Sequence, residues 1–172
     1  MPFANEREMY APVCAWLERF LQSRHTEAKI YVFDSSRRSL TRLIQETGLS
    51  ANLPAEWHSW DIFVDVVGFA CTAQQTYLAF VECKLGGITL GNFSQLLGYS
   101  RVALPQYSLI TSPQGASDSL RSLLLTYERT DILQYHYEQG RISLSVAVAR
   151  WDEKGMCIDA GSVISGQNNL WR

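Results

Sequence analysis

At 172 residues, 47% hydrophobic and 19% charged, the chain has the length and composition of one globular domain that buries its own core. Its net charge of −2 excludes a protein that coats nucleic acid through bulk positive charge. No apolar run approaches the roughly 18 residues needed to cross a bilayer, and MPFANEREMY lacks the basic start and apolar run of a signal peptide, so a cytoplasmic protein without a membrane contact is expected.

In chain order, residues 4–23 carry Tyr10, Val13, Leu17, Phe20 and Leu21 at helical spacing, with Pro12 as the awkward member. Ile30–Phe33 reads as a short strand. Ser39–Thr47 reads as a helix closed by Gly48, and 50–59 as a loop holding Pro54. Asp61–Phe69 and Tyr77–Val81 are rich in β-branched and aromatic residues, and the short polar stretch between them predicts a hairpin. Tyr77–Val81 is almost continuously apolar, as in a strand covered on both faces. A helix over Thr89–Val102 follows, with Thr89 as N-cap and Pro105 beyond its end. Then come a strand over Tyr107–Ile110, a helix over Ser117–Tyr127, and a second hairpin, Ile132–Tyr137 with Ile142–Ala149, turning at Gln139-Gly140. Beyond Lys154 the pattern is weak. The expected fold class is α/β, a mixed sheet flanked by helices in one domain, with a core at about 4–111 and a C-terminal helix and hairpin added over 112–172.

The chemistry gathers around Glu82-Cys83-Lys84. Alternation along a strand puts Glu82 and Lys84 on one face and turns Cys83 to the other. A carboxylate and an ammonium at the end of an apolar strand lose hydration, so each needs a partner or a metal. Alone, Glu-x-Lys is no more than a structural ion pair. On the preceding strand Asp61, Phe63 and Asp65 share a face, and a hairpin brings Asp65 beside Glu82. Two converging carboxylates repel, and a hard divalent cation with oxygen ligands relieves the repulsion. The Cys83 backbone carbonyl offers a third oxygen, and Lys84 then stands where it can orient a water or neutralise charge on a phosphate.

Asp65-Val-Val-Gly-Phe, Phe80-Val-Glu-Cys-Lys84 and Gln95-Leu-Leu-Gly-Tyr99, in that order and spacing, resemble the PD-(D/E)XK nuclease superfamily, which includes restriction endonucleases and Holliday-junction resolvases. The resemblance covers roughly residues 4–111. It implies a restriction endonuclease-like fold with an α-β-β-β-α-β core, Mg²⁺ or Mn²⁺ as cofactor, and hydrolysis of DNA phosphodiester bonds in repair, recombination or defence against foreign DNA. It further implies Asp65 and Glu82 as metal ligands, Lys84 as the catalytic lysine, and Gln95 and Tyr99 as site residues on the following helix. In this resemblance the first helix often contributes an acidic residue, for which Glu6 is the candidate, with Glu8 as its competitor. Two departures stand out: Val64 precedes Asp65 where the family has proline, and Asp61 rivals Asp65 as the aspartate. Asp65 is preferred for its surrounding Asp-Val-Val-Gly and for its 17-residue separation from Glu82, which suits a short hairpin.

Five bases, Arg24, Lys29, Arg37, Arg38 and Arg42, face only Glu27 and Asp34 in the same stretch, a candidate basic face for phosphates with a plain solvated face as the alternative. Arg37, Arg38, Arg42 and Arg101 are the candidate DNA contacts. Trp57 and Trp60 either close a core or stack on a base. The histidines and the scattered cysteines Cys14, Cys71, Cys83 and Cys157 show no metal-ligand spacing, and reduced thiols are expected. The competing expectation is a catalytically silent nuclease-fold module that binds nucleic acid or protein. A homodimer would add DNA-contact surface.

Overall fold

A computed structural model describes residues 3–136, 144–166 and 171. The first helix, α1 (Arg7–Arg24), starts three residues later than its pattern suggests, and ahead of it the Ala4 backbone N–H donates to the Glu8 carboxylate. It runs through Pro12, which has no N–H to give the Glu8 carbonyl. β1 (Lys29–Asp34) and α2 (Leu40–Thr47) follow. Ser39 caps α2 by accepting from the Arg42 N–H, and Gly48 closes it at φ 71°, the left-handed region where glycine is unstrained. The expected loop contains a 3₁₀ turn, Ala55–Ser59.

The hairpin forms between β2 (Val66–Cys71) and β3 (Thr76–Cys83), so β2 begins five residues after the expected Asp61. Residues 60–65 spend their carbonyls elsewhere. Trp60 and Ile62 accept from Thr41 and Leu40 at the start of α2, while Val64 and Asp65 accept from Ser35. α3 (Leu90–Ala103) starts at a reciprocal cap between Thr89 and Asn92 and ends at Leu104, at φ 47°, before Pro105. β4 is Tyr107–Ser112. The next helix is regular only over α4 (Asp118–Arg121) and continues as a π-helical turn, Ser122–Thr126. β5 (Gln134–His136) and β6 (Leu144–Asp152) pair antiparallel as the second hairpin requires; its turn at Gln139-Gly140 lies outside the described residues. The weakly patterned tail supplies β7 (Cys157–Ile158) on β6, and Ile164 bridges to Val148.

Among the described residues these strands make one mixed seven-stranded sheet in the order β1-β2-β3-β4-β6-β5, with β7 added to β6. β1, β2 and β3 form an antiparallel meander, whereas β3, β4 and β6 are parallel. Alternation sorts the interior into two clusters. Val66, Ala79, Val81, Leu109 and Ala147 face α1, with its Met9, Val13, Leu17 and Leu21. Val67, Phe69, Phe80, Ile110 and Val148 face α2 and α3 together with Trp57 and Trp60, which are core residues. Gly68 lets α1 sit close to the sheet, since a Cβ there would lie 2.7 Å from Leu21 Cδ1. No helix of the described residues is long and apolar enough to cross a membrane.

Candidate active site

The paired register of the meander ends at Val66 with Val81, and Asp65 and Glu82 are the next residues beyond that last pair. Both therefore stand at the same end of the sheet, Asp65 just before β2 and Glu82 in the last turn of the β3 pleat. α1 runs across this end with its first turns. Three elements thus deliver the cluster: α1 brings Tyr10 and, at its N-cap, Glu6, the entry to β2 brings Asp65, and β3 brings Glu82 and Cys83, with Lys84 following as the strand ends.

The Asp65 carboxylate is held at both oxygens. The Tyr10 hydroxyl donates to Oδ1 at 2.8 Å, and the Cys83 backbone N–H donates to Oδ2 at 2.9 Å. Glu82 is 6% exposed. Its Oε1 accepts from Lys84 Nζ at 2.9 Å, while its Oε2 is buried and, among the described residues, has no hydrogen-bond partner. Burial first, and then the negative charge of Asp65, push the Glu82 carboxyl up to about 7 against the pull of Lys84. Burial opposes the charge on Lys84, but Glu82, Asp65 and Glu6 outweigh it and hold the ammonium above its ordinary range. Glu6 Oε2 lies 3.6 Å from Lys84 Nζ. Burial pushes the Cys83 thiol up, so it stays protonated among the apolar side chains facing α1. A strand residue turns its N–H and C=O to the same side, so the Cys83 carbonyl follows its N–H toward Asp65.

Other sequence candidates are placed differently. Asp61 is exposed on the irregular stretch before β2, its N–H given to the Ser59 carbonyl, and it lies outside the β2–β3 ladder. Glu8 accepts from the Ala4 backbone N–H and the Asn5 side-chain amide. Gln95 donates to the Tyr99 hydroxyl at 3.2 Å on α3, and among the described residues no hydrogen bond joins either to Asp65, Glu82 or Lys84. Arg101 is exposed in the last turn of α3. The five bases do not share one face. Arg24 and Lys29 lie at the far end of β1, while Arg37, Arg38 and Arg42 lie at the end beside Asp65, where the Ser35 N–H meets the Asp65 carbonyl. Of these, Arg38 and Arg42 both pair with Glu46, at 2.9 and 2.7 Å.

Tyr10 is the residue that sequence reasoning assigns to the core alone. Its ring is indeed buried, yet its hydroxyl reaches Asp65; the available signal was its spacing of four from Glu6, which puts both on one helix face. The cysteines are all free. Among the described residues no three His, Cys, Asp or Glu side chains stand together as a metal-binding group. Neither a family model, nor a curated protein, nor a solved structure matches this chain.

Proposed function

We propose that this chain is a divalent-metal-dependent nuclease of the PD-(D/E)XK kind, with a restriction endonuclease-like core, hydrolysing DNA phosphodiester bonds. The observation that carries the reading is the approach of the Asp65 and Glu82 carboxylates at one end of the hairpin: one hard cation relieves both their repulsion and the buried Glu82 Oε2, which has no hydrogen-bond partner among the described residues. Asp65, Glu82 and the Cys83 carbonyl would hold Mg²⁺ or Mn²⁺. When bound, that ion supplies Lewis acidity at a phosphoryl oxygen and acidifies a water at neutral pH. Each Asp65 oxygen still has a free lone pair beside its donor, so the clamp does not consume its ligating capacity.

Lys84 does the work of this chain toward the phosphate. Its ammonium stays charged, is aimed by Glu82 and Glu6, and neutralises negative charge as it builds on the phosphate oxygens. Gln95 and Tyr99 lie on the helix that follows, and Arg37 extends from the loop beside Asp65 as a phosphate contact.

The test is cleavage of plasmid, branched and single-stranded DNA in Mg²⁺ or Mn²⁺. Lys84→Ala is expected to slow cleavage by roughly 10²–10⁴-fold while leaving the fold intact. Equal behaviour of the two proteins on every substrate ends the catalytic reading.

A second reading, a silent nuclease-fold module, draws on the ion pair itself: Lys84 already has its partner in Glu82 at 2.9 Å. Calorimetry separates the two, since a silent module shows no Mn²⁺ binding that depends on Asp65 and Glu82.

A further inference from the structure

We propose that Tyr10 is a positioning residue for the metal site: its hydroxyl, with the Cys83 amide, fixes the plane of the Asp65 carboxylate so that it faces Glu82. The inference rests on the nuclease reading, and it adds a residue from a different element to that site.

A carboxylate at the mouth of a strand rotates broadly about its last torsion, because that torsion has no sharp staggered wells. Asp65 is only partly buried and precedes the first paired residue of β2, so the sheet ladder alone does not orient its side chain. Two donors from two elements do. The Cys83 N–H holds Oδ2 from β3, and the Tyr10 hydroxyl holds Oδ1 from α1. One donor would leave a hinge about a single bond; two on opposite oxygens set a plane.

The donor from α1 is itself held firmly. Met9, Val13 and Leu17, on the same helix, are fully buried against the sheet, and Tyr10 is 6% exposed. One turn earlier Glu6 approaches Lys84. A single helix face therefore reaches both the carboxylate and the amine, and the docking of α1 is what aligns them. Partners of this kind around a ligating group orient it, and their loss weakens metal binding without removing a ligand.

Tyr10→Phe removes the hydroxyl and keeps the ring. Mn²⁺ affinity of the purified full chain, measured by titration calorimetry, is expected to fall by about tenfold in Y10F. A structural role alone would lower the melting temperature in EDTA and leave the affinity unchanged. The coupling is read in the Asp65→Ala background, where adding Y10F is expected to change Mn²⁺ affinity no further. Equal Mn²⁺ affinity of wild type and Y10F overturns the role of Tyr10 while the Asp65-dependent site stands. No Mn²⁺ binding by wild type overturns the metal reading and this inference with it. A second measurement needs no substitution at Tyr10. In protein carrying 3-fluorotyrosine, one ¹⁹F resonance is expected to move on adding Mg²⁺ to wild type and to stay fixed in Asp65→Ala; the absence of any such Asp65-dependent movement also overturns the assignment.

Discussion

Replacing Glu82 by glutamine measures how strongly the folded chain resists a second negative charge beside Asp65. The carboxyl moves from an ordinary 4.5 to about 7, chiefly by burial and then by Asp65. At about 1.4 kcal/mol for each tenfold change in proton affinity, that movement corresponds to about 3 kcal/mol. The folded chain binds this proton more tightly than the unfolded chain, so between pH 4.5 and about 7 the native state holds more protons and its stability falls as pH rises. Below that window Glu82 is protonated in both states and resembles glutamine in charge and size. The metal-free E82Q protein is therefore expected to match wild type near pH 4.5 and to exceed it by about 3 kcal/mol at pH 8. Urea unfolding in EDTA is the assay, because urea is uncharged and leaves the Lys84 pair unscreened. Taking the difference between the two proteins at each pH cancels the other carboxylates. Divalent cation reverses the order: Mn²⁺ at about 100 times its Kd is expected to stabilise wild type by about 3 kcal/mol and E82Q far less. A difference that stays flat with pH refutes the reasoning, as does an E82Q protein that is the less stable one at pH 8. Either result means that Lys84 compensates Glu82 fully and that no cation is required to do so.

Two further predictions concern the placement of the site. Asp61→Asn is expected to leave Mn²⁺ affinity within about twofold of wild type, whereas Asp65→Asn lowers it by at least about tenfold, as calorimetry would register; the reverse order would assign the ligand to Asp61. Gly68→Ala puts a methyl 2.7 Å from Leu21 Cδ1 and 3.1 Å from Leu17 Cδ2. It is expected to cost about 1–3 kcal/mol in urea unfolding as the buried Leu21 and Leu17 side chains are displaced, and unchanged stability would mean that these side chains re-seat without strain.

Local periodicity and punctuation were enough to place most elements. Tyr10, Val13, Leu17 and Leu21 do form the buried stripe of α1, Gly48 and Thr89 do bound their helices, and the short polar stretch after Phe69 does turn a hairpin. These signals are legible because caps, turns and amphipathic stripes act within a few residues of chain. Boundaries failed where distant partners took over. The run from Asp61 alternates like a strand, yet its carbonyls are claimed by Leu40, Thr41 and Ser35, so the ladder starts at Val66. The cluster of bases reads as one face in the sequence, but β1 divides it, and Glu46 neutralises part of what lies near Asp65.

That Asp65 and Glu82 come to the same end of the hairpin follows from the sequence, because a short hairpin with period-two alternation leaves few registers. The hold on Asp65 does not. It needs a hydroxyl from 55 residues earlier in the chain, brought across the sheet end by the packing of α1. The buried Glu82 oxygen, the upward shift of its carboxyl and the place of Asp61 outside the β2 ladder are of the same origin. Which side chains can meet is written in local pattern; which do meet, and how dry the place is, depends on how helices and strands far apart in sequence close on one another.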